Sequence, residues 1–180
     1  MASMTQFLEQ RLRLKVNQKK SAVALVNQRK FLGYRLQKDG GLSVAPESLQ
    51  RLKDKIREQT KRNRGHSLEN VIKQLNQTLR GWLSYFRLSR SKSTLSSLDS
   101  WIRRKLRCYR LKQRKQGRSI VTWLMNLGIK ERDARKMGSS GKGWWRLAKT
   151  PALHRALDKE WFNNQGLFNL EMRWKAWVNA

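Results

Sequence analysis

Apolar residues along this chain keep a strand-like period up to about residue 44 and a helical one after it. The exception is the beginning: in residues 3–13, Phe7, Leu8 and Leu12 recur at near-helical spacing with charges between them, which predicts a short helix. Three short pieces follow, residues 14–17, 22–26 and 30–36, each β-branched or aromatic and bounded by polar turn-formers. They predict a small β ribbon closed by the Asp39-Gly40-Gly41 turn. After residues 42–44, Pro46 suits the first turn of a helix, and Leu49, Leu52 and Ile56 repeat at three and four, predicting a helix to about Asn63. Arg64-Gly65-His66 breaks it. Ser67 is placed to cap a longer helix with Leu68, Val71, Ile72, Leu75, Leu79 and Trp82 on one face, interrupted at Gly81, where another element can approach closely.

The Ser-rich stretch 89–97 reads as a loop between parts of the fold, with Thr94 as the alternative start of the next helix. Leu95, Leu98, Ile102 and Leu106 give that helix its apolar stripe to about Lys115. Gly117, Gly128 and the segment 138–143 divide the remainder into shorter helices. Trp161, Phe162, Leu167, Phe168, Trp174 and Trp177 suggest a docked apolar end.

Composition changes the picture most through charge. The 180 residues carry 41 Lys plus Arg against 12 Asp plus Glu, a formal net charge of +29, and such a field calls for a polyanionic partner. With 38% hydrophobic residues and eight Trp, the chain can build a core and is not a disordered basic tail. Cys108 alone forms no internal disulfide framework, and His66 and His154 complete no zinc-type ligand set, so neither metal nor another cofactor is expected. The apolar runs are short, the N-terminus lacks a signal-peptide stretch, and the Trp are dispersed; the expected setting is the cytoplasm, with no membrane partner.

Specific strings narrow the reading further. Leu14-Lys15-Val16-Asn17-Gln18-Lys19-Lys20-Ser21 followed by Lys30-Phe31-Leu32-Gly33-Tyr34 resembles the end of the palm in bacterial group II intron reverse transcriptases, the intron-encoded maturases. Arg62-Asn63-Arg64-Gly65-His66-Ser67 and Leu79-Arg80-Gly81-Trp82-Leu83-Ser84-Tyr85-Phe86 resemble the thumb and maturase-specific region of that family. Leu98-Asp99-Ser100-Trp101-Ile102-Arg103-Arg104-Lys105-Leu106-Arg107 and Gly141-Lys142-Gly143-Trp144-Trp145-Arg146 extend the likeness almost to the C-terminus. The resemblance implies a mainly α fold, a helical thumb and maturase bundle preceded by a small β ribbon left from the palm. Its parts would be a palm remnant (1–42), a thumb-like region (43–92), and a maturase-specific region with a C-terminal extension (93–180).

It also implies structured group II intron RNA as the ligand, with assistance to folding or splicing as the role. In the family, the Tyr-Ala-Asp-Asp motif that holds catalytic magnesium lies upstream of the counterpart of residues 3–13, and Met1-Ala2-Ser3-Met4 resembles an internal stretch, as expected of a truncated or internally initiated frame. Asp39, Asp54, Asp99, Asp133 and Asp158 are scattered among basic stretches and form no metal-clamping pair, so the chain alone is expected to polymerise nothing and to be no enzyme. Lys20 matches a palm lysine and Phe31-Leu32-Gly33 the primer-grip hairpin. DNA and a separately encoded palm polypeptide are the other partners left open, as is a repurposed regulatory or defensive binder.

Candidate RNA contacts fall in two helical patches. Lys53, Arg57, Lys61, Arg62 and Arg64 form the first. In the second, residues 103–118 carry nine Lys or Arg and no acid, with Arg103, Arg104, Arg107, Arg110, Lys112, Arg114, Lys115 and Arg118 as the candidates. Lys142 and Arg146 flank Trp144 and Trp145, whose rings serve either packing or base stacking. Trp82, Tyr85 and Phe86 read as core, Cys108 as a small buried side chain, and residues 138–143 as no Walker loop, lacking both the preceding strand and the Gly-Lys-Ser/Thr ending.

Overall fold

The computed structural model describes residues 2–17, 21, 24, 25, 27 and 29–179. Helix α1 (Ala2–Gln10) buries none of its residues. Among the described residues, 14–17 pair with no strand; backbone N–H groups turn back to α1 instead, Leu14 N donating to Leu8 O at 3.0 Å and Val16 N to Glu9 Oε1 at 3.4 Å. Lys20 and most of the expected 22–26 strand lie outside the described residues.

The ribbon is therefore built from residues 30–44. Residues 30–36, expected as one strand, fold into a hairpin of β1 (Lys30–Phe31) and β2 (Tyr34–Leu36), with β3 (Leu42–Val44) completing an antiparallel sheet in the order β1-β2-β3. Leu32 and Gly33 take φ of 50° and 81°, as a two-residue hairpin turn demands. Gly33 is also pressed against the helices: a Cβ there would lie 2.9 Å from Ser48 Oγ and 3.2 Å from the Phe86 ring. The Asp39-Gly40-Gly41 turn links β2 to β3 as expected.

Helix α2 (Pro46–Gln59) ends four residues earlier than its periodicity suggests. Thr60 is its C-cap: its backbone N–H and its hydroxyl donate to Ile56 O at 2.9 and 2.7 Å, and the next N–H, of Lys61, turns to Glu58 O at 3.2 Å and closes the last turn. Helix α3 (Leu68–Tyr85) starts at the expected cap, with Ser67 Oγ accepting from Asn70 N at 3.2 Å. It runs unbroken through Gly81, where a Cβ would meet nothing within 4 Å, so the predicted interruption and close approach are both absent. Helix α4 (Lys92–Arg114) begins inside the Ser-rich stretch. Buried Ser89 and Ser91 anchor a short connection, while Leu95 and Leu98 carry the burial that draws the following serines into helix.

Helices α5 (Gly117–Asn126) and α6 (Glu131–Gly138) form a hairpin whose ends meet at Gly117 and Gly138. Helices α7 (Trp144–Leu147), α8 (Pro151–Ala156), α9 (Lys159–Asn164) and α10 (Leu170–Val178) complete the chain. One hydrophobic core runs from Leu52 to Leu170, with Trp161, Leu167, Phe168, Trp174 and Trp177 packed at its edge. The docked C-terminal end is fixed by polar groups as much as by apolar ones. Asn76 donates to Gly166 O and accepts from Phe168 N at 2.7 and 2.8 Å, and buried Asp99 accepts from Leu170 N and Glu171 N at 3.1 and 3.0 Å. Burial pushes the Asp99 pKa up, against the pull of those two N–H donors.

Candidate nucleic-acid interface

The early stop of α2 releases residues 60–63 from the helix and lays them alongside α4. There they and α7 enclose a cleft of about 680 Å³, lined by Arg57, Thr60, Lys61, Arg62, Asn63, Lys105, Lys112 and Trp144. Five of these eight residues are cations and none is acidic. The two patches separated by some forty residues of sequence are thus walls of one site, and a concave surface lined by one sign of charge concentrates its field on whatever enters.

Helical spacing explains which residues of α4 contribute. Trp101, Lys105, Cys108 and Lys112 succeed one another at steps of three and four and share one face. Arg57 and Lys105 Nζ each lie 5.6 Å from the Trp101 ring. Lys105 Nζ is also 5.5 Å from the Trp145 ring, over which the Arg104 guanidinium sits at 3.9 Å. Arg104 donates further to Trp145 O at 3.0 Å, which ties α7 to α4. Arg62 Nη1 reaches Cys108 Sγ at 3.6 Å across the floor. Burial, and after it the nearby Arg57, lowers the Lys105 pKa; Arg62 acts in the same sense. A phosphate entering the cleft would relieve that repulsion between cations. Cys108 is buried as expected, and burial raises its pKa so that it stays a thiol.

The remaining predicted contacts divide. Lys53, Arg64, Lys115, Arg118, Lys142 and Arg146 lie outside the cleft lining, although all but half-buried Lys53 are exposed. Half-buried Arg110 and Arg114 flank the Trp123 ring at 5.9 and 5.1 Å, and Arg103 donates to Ser100 Oγ at 3.0 Å. Arg107 has to be withdrawn as a ligand contact. It is 4% exposed, donates from Nε to Leu157 O at 2.9 Å, and meets His154 Nε2 from Nη1 at 3.2 Å. Burial brings its pKa down to about 10, still charged at neutral pH. Its place in the helix explains the fate: Leu111, one turn on, is fully buried on the same side. Arg107→Gln should therefore lower the melting temperature while leaving the salt dependence of nucleic-acid binding unchanged, a contrast that parallel thermal and binding titrations measure.

Because a guanidinium only donates, His154 Nε2 must accept, which fixes the ring as neutral with its proton on Nδ1. Desolvation against α4, then Arg107, Arg103 and Arg104, pulls the His154 pKa down. The unfolded chain then binds the extra proton first, so this stabilisation is complete above about pH 6.5 and is lost as pH falls through the folded value. The melting temperature should drop between pH 7.5 and 5.5, and His154→Gln should flatten that slope.

Sequence reasoning missed Lys105 as an individual contact and Trp101 altogether. Their spacing to Lys112 was the available signal. Of the aromatics read as core, Phe86 is buried and Trp82 half-buried, but Tyr85 is 54% exposed and donates to Leu32 O at 2.9 Å, serving as a brace between α3 and the hairpin. Among the described residues, no cluster of His, Cys, Asp and Glu suits a metal ion, and no helix is long and apolar enough to cross a membrane.

A mainly helical body with a cation-lined cleft between α2, α4 and α7 is thus what the chain presents. The segment of residues 49–127 matches the family model of the group II intron, maturase-specific domain. It contains every cleft residue except Trp144. No curated protein matches the chain.

Proposed function

We propose that the protein binds structured group II intron RNA and assists its folding or splicing, without catalytic groups of its own. The observation that carries this reading is the convergence of Arg57, Lys61, Arg62, Lys105 and Lys112 on one cleft within the segment that matches the maturase-specific family model. Guanidinium forks and ammonium groups in a concave wall suit a folded RNA backbone, which presents phosphates from more than one direction. Arg104 stacked on Trp145 holds α7 in place, so that Trp144 lines the cleft as a ring available to an unpaired base.

The test is recovery of RNA crosslinked to the protein in cells, followed by splicing assays on any intron recovered. Enrichment of an intron whose splicing the purified protein accelerates supports the reading. Duplex DNA recovered without RNA would overturn it.

A second reading has one specific observation in its favour. Met4, Phe7, Leu12, Leu14, Leu25, Phe31 and Leu32 are each more than half exposed and gather at the N-terminal end of the chain. A complementing polypeptide carrying a polymerase palm would cover such residues. Co-expression with such a palm, and gain of metal-dependent synthesis by the pair alone, is the result that reading requires.

A further inference from the structure

A second groove, of about 740 Å³, lies where the connection between α3 and α4 meets α10. Its apolar lining comes from Leu88, Trp174, Trp177 and Val178, and Leu88 and Val178 are 65% and 59% exposed. Arg87, Arg90 and Lys92 supply its charge, and no acidic residue lines it. The indole N–H of Trp174 donates to Ser89 O at 3.0 Å, which holds that ring in place. Arg173 lies 5.4 Å from the Trp177 ring.

We propose that this groove takes an unpaired nucleotide of the same RNA, its base against Trp177 and Leu88 and its phosphates against Arg87, Arg90 and Lys92. The inference rests on the RNA-binding reading and adds to it a second point of contact. Each unit of a single strand offers a flat, weakly polar face beside an anion, and the groove offers fixed indole and aliphatic surface beside three cations. An acidic amphipathic peptide has a related chemistry, but RNA needs no additional partner. Helix α4 connects the two sites, with Lys92 thirteen residues before Lys105 and hence about 20 Å from it along the axis. A strand leaving the cleft along α4 meets the groove at the helix's other end.

The experiment compares a blunt RNA stem-loop with the same stem-loop carrying a single-stranded uridine tail. The parent chain should bind the tailed form about tenfold more tightly, as stacking of a base on an aromatic ring predicts. Trp177→Ala, and separately the exposed pair Arg87→Gln with Arg90→Gln, should lose that gain while keeping the parent's affinity for the blunt form. If Trp177→Ala fails to fold, the arginine pair decides. A 4-thiouridine in the tail should crosslink to the peptide containing Trp177. Equal affinity for the two RNAs, a gain that survives in the arginine pair, or crosslinks confined to other elements would overturn the inference. So would a Glu- and Leu-rich peptide that occupies the groove more tightly than the tail. Failure of the parent to bind even the blunt stem-loop would remove the RNA-binding reading and this inference with it. Tight blunt binding without a tail effect would remove the inference alone.

Discussion

A chain carrying Arg62→Glu and Lys112→Glu should bind structured RNA roughly 50-fold more weakly than the parent at about 0.15 M salt, on the order of 2 kcal/mol. Both side chains are exposed and line opposite walls of the cleft, so reversing them changes the field at the cost of one contact to the core, Arg62 Nη1 to Cys108 Sγ. The log–log dependence of affinity on salt should become shallower by roughly 1.4 to 1.8, as expected for the loss of two phosphate contacts. Lys142→Glu with Arg146→Glu makes the same change in net charge outside the cleft and is the control. Nitrocellulose-filter or fluorescence-anisotropy titrations at several salt concentrations separate the cases. Equal losses in the two double variants would mean that only total charge matters and that the cleft has no special role.

The largest effect on folding is expected at Gly117. A Cβ on this residue would lie 2.2 Å from Gly138 O, and one on Gly138 would lie 2.5 Å from Val121 Cγ2 and 2.7 Å from Gly117 O. The obstacle in both directions includes main chain, which cannot rotate away as a flexible side chain can. Gly117→Ala should cost on the order of 3 kcal/mol through forced separation of α5 and α6, outweighing the gain of about 1 kcal/mol in helix propensity. For a chain of this size that is a fall of roughly 6–12 °C in melting temperature. Gly81→Ala provides the opposite outcome in the same protein. That glycine is exposed within α3 with nothing around its missing Cβ, so the substitution should stabilise by up to about 1 kcal/mol. Thermal unfolding followed by circular dichroism checks both.

These two glycines also show where the sequence was readable and where it was not. Periodicity placed α2, α3 and α4 and the Ser67 cap, because each depends on residues within a turn or two of one another. Close approach of one backbone to another depends on packing between distant segments. Gly81 was assigned it and lacks it, while Gly117 and Gly138 read as punctuation and have it. The same limit governs the basic segment of α4. Composition identified its charge, but Arg107 and Lys105 differ only in which neighbours cover them. Leu157 and His154 come from some fifty residues downstream, and nothing in the local pattern announces them. The merger of two patches into one cleft depends on a boundary that the apolar pattern does not mark: α2 ends at Gln59, so residues 60–63 lie beside α4. The ribbon was half legible: its turns carry glycine, but strands of two or three residues are too short to give a period.

Asp99 and Asn76 sit inside the maturase-specific segment 49–127, yet the main-chain groups that satisfy them belong to residues 166–171. Excising that segment on its own would remove those partners and open to water the core face that residues 129–170 cover, a far costlier situation than the loss of a few surface contacts. The smallest autonomous folding unit is therefore larger than the family boundary suggests. A polypeptide ending near residue 127 should be loosely ordered where one continuing through α10 folds cooperatively. The helix at the far end of the chain is in effect the final keystone of the domain that begins with α2.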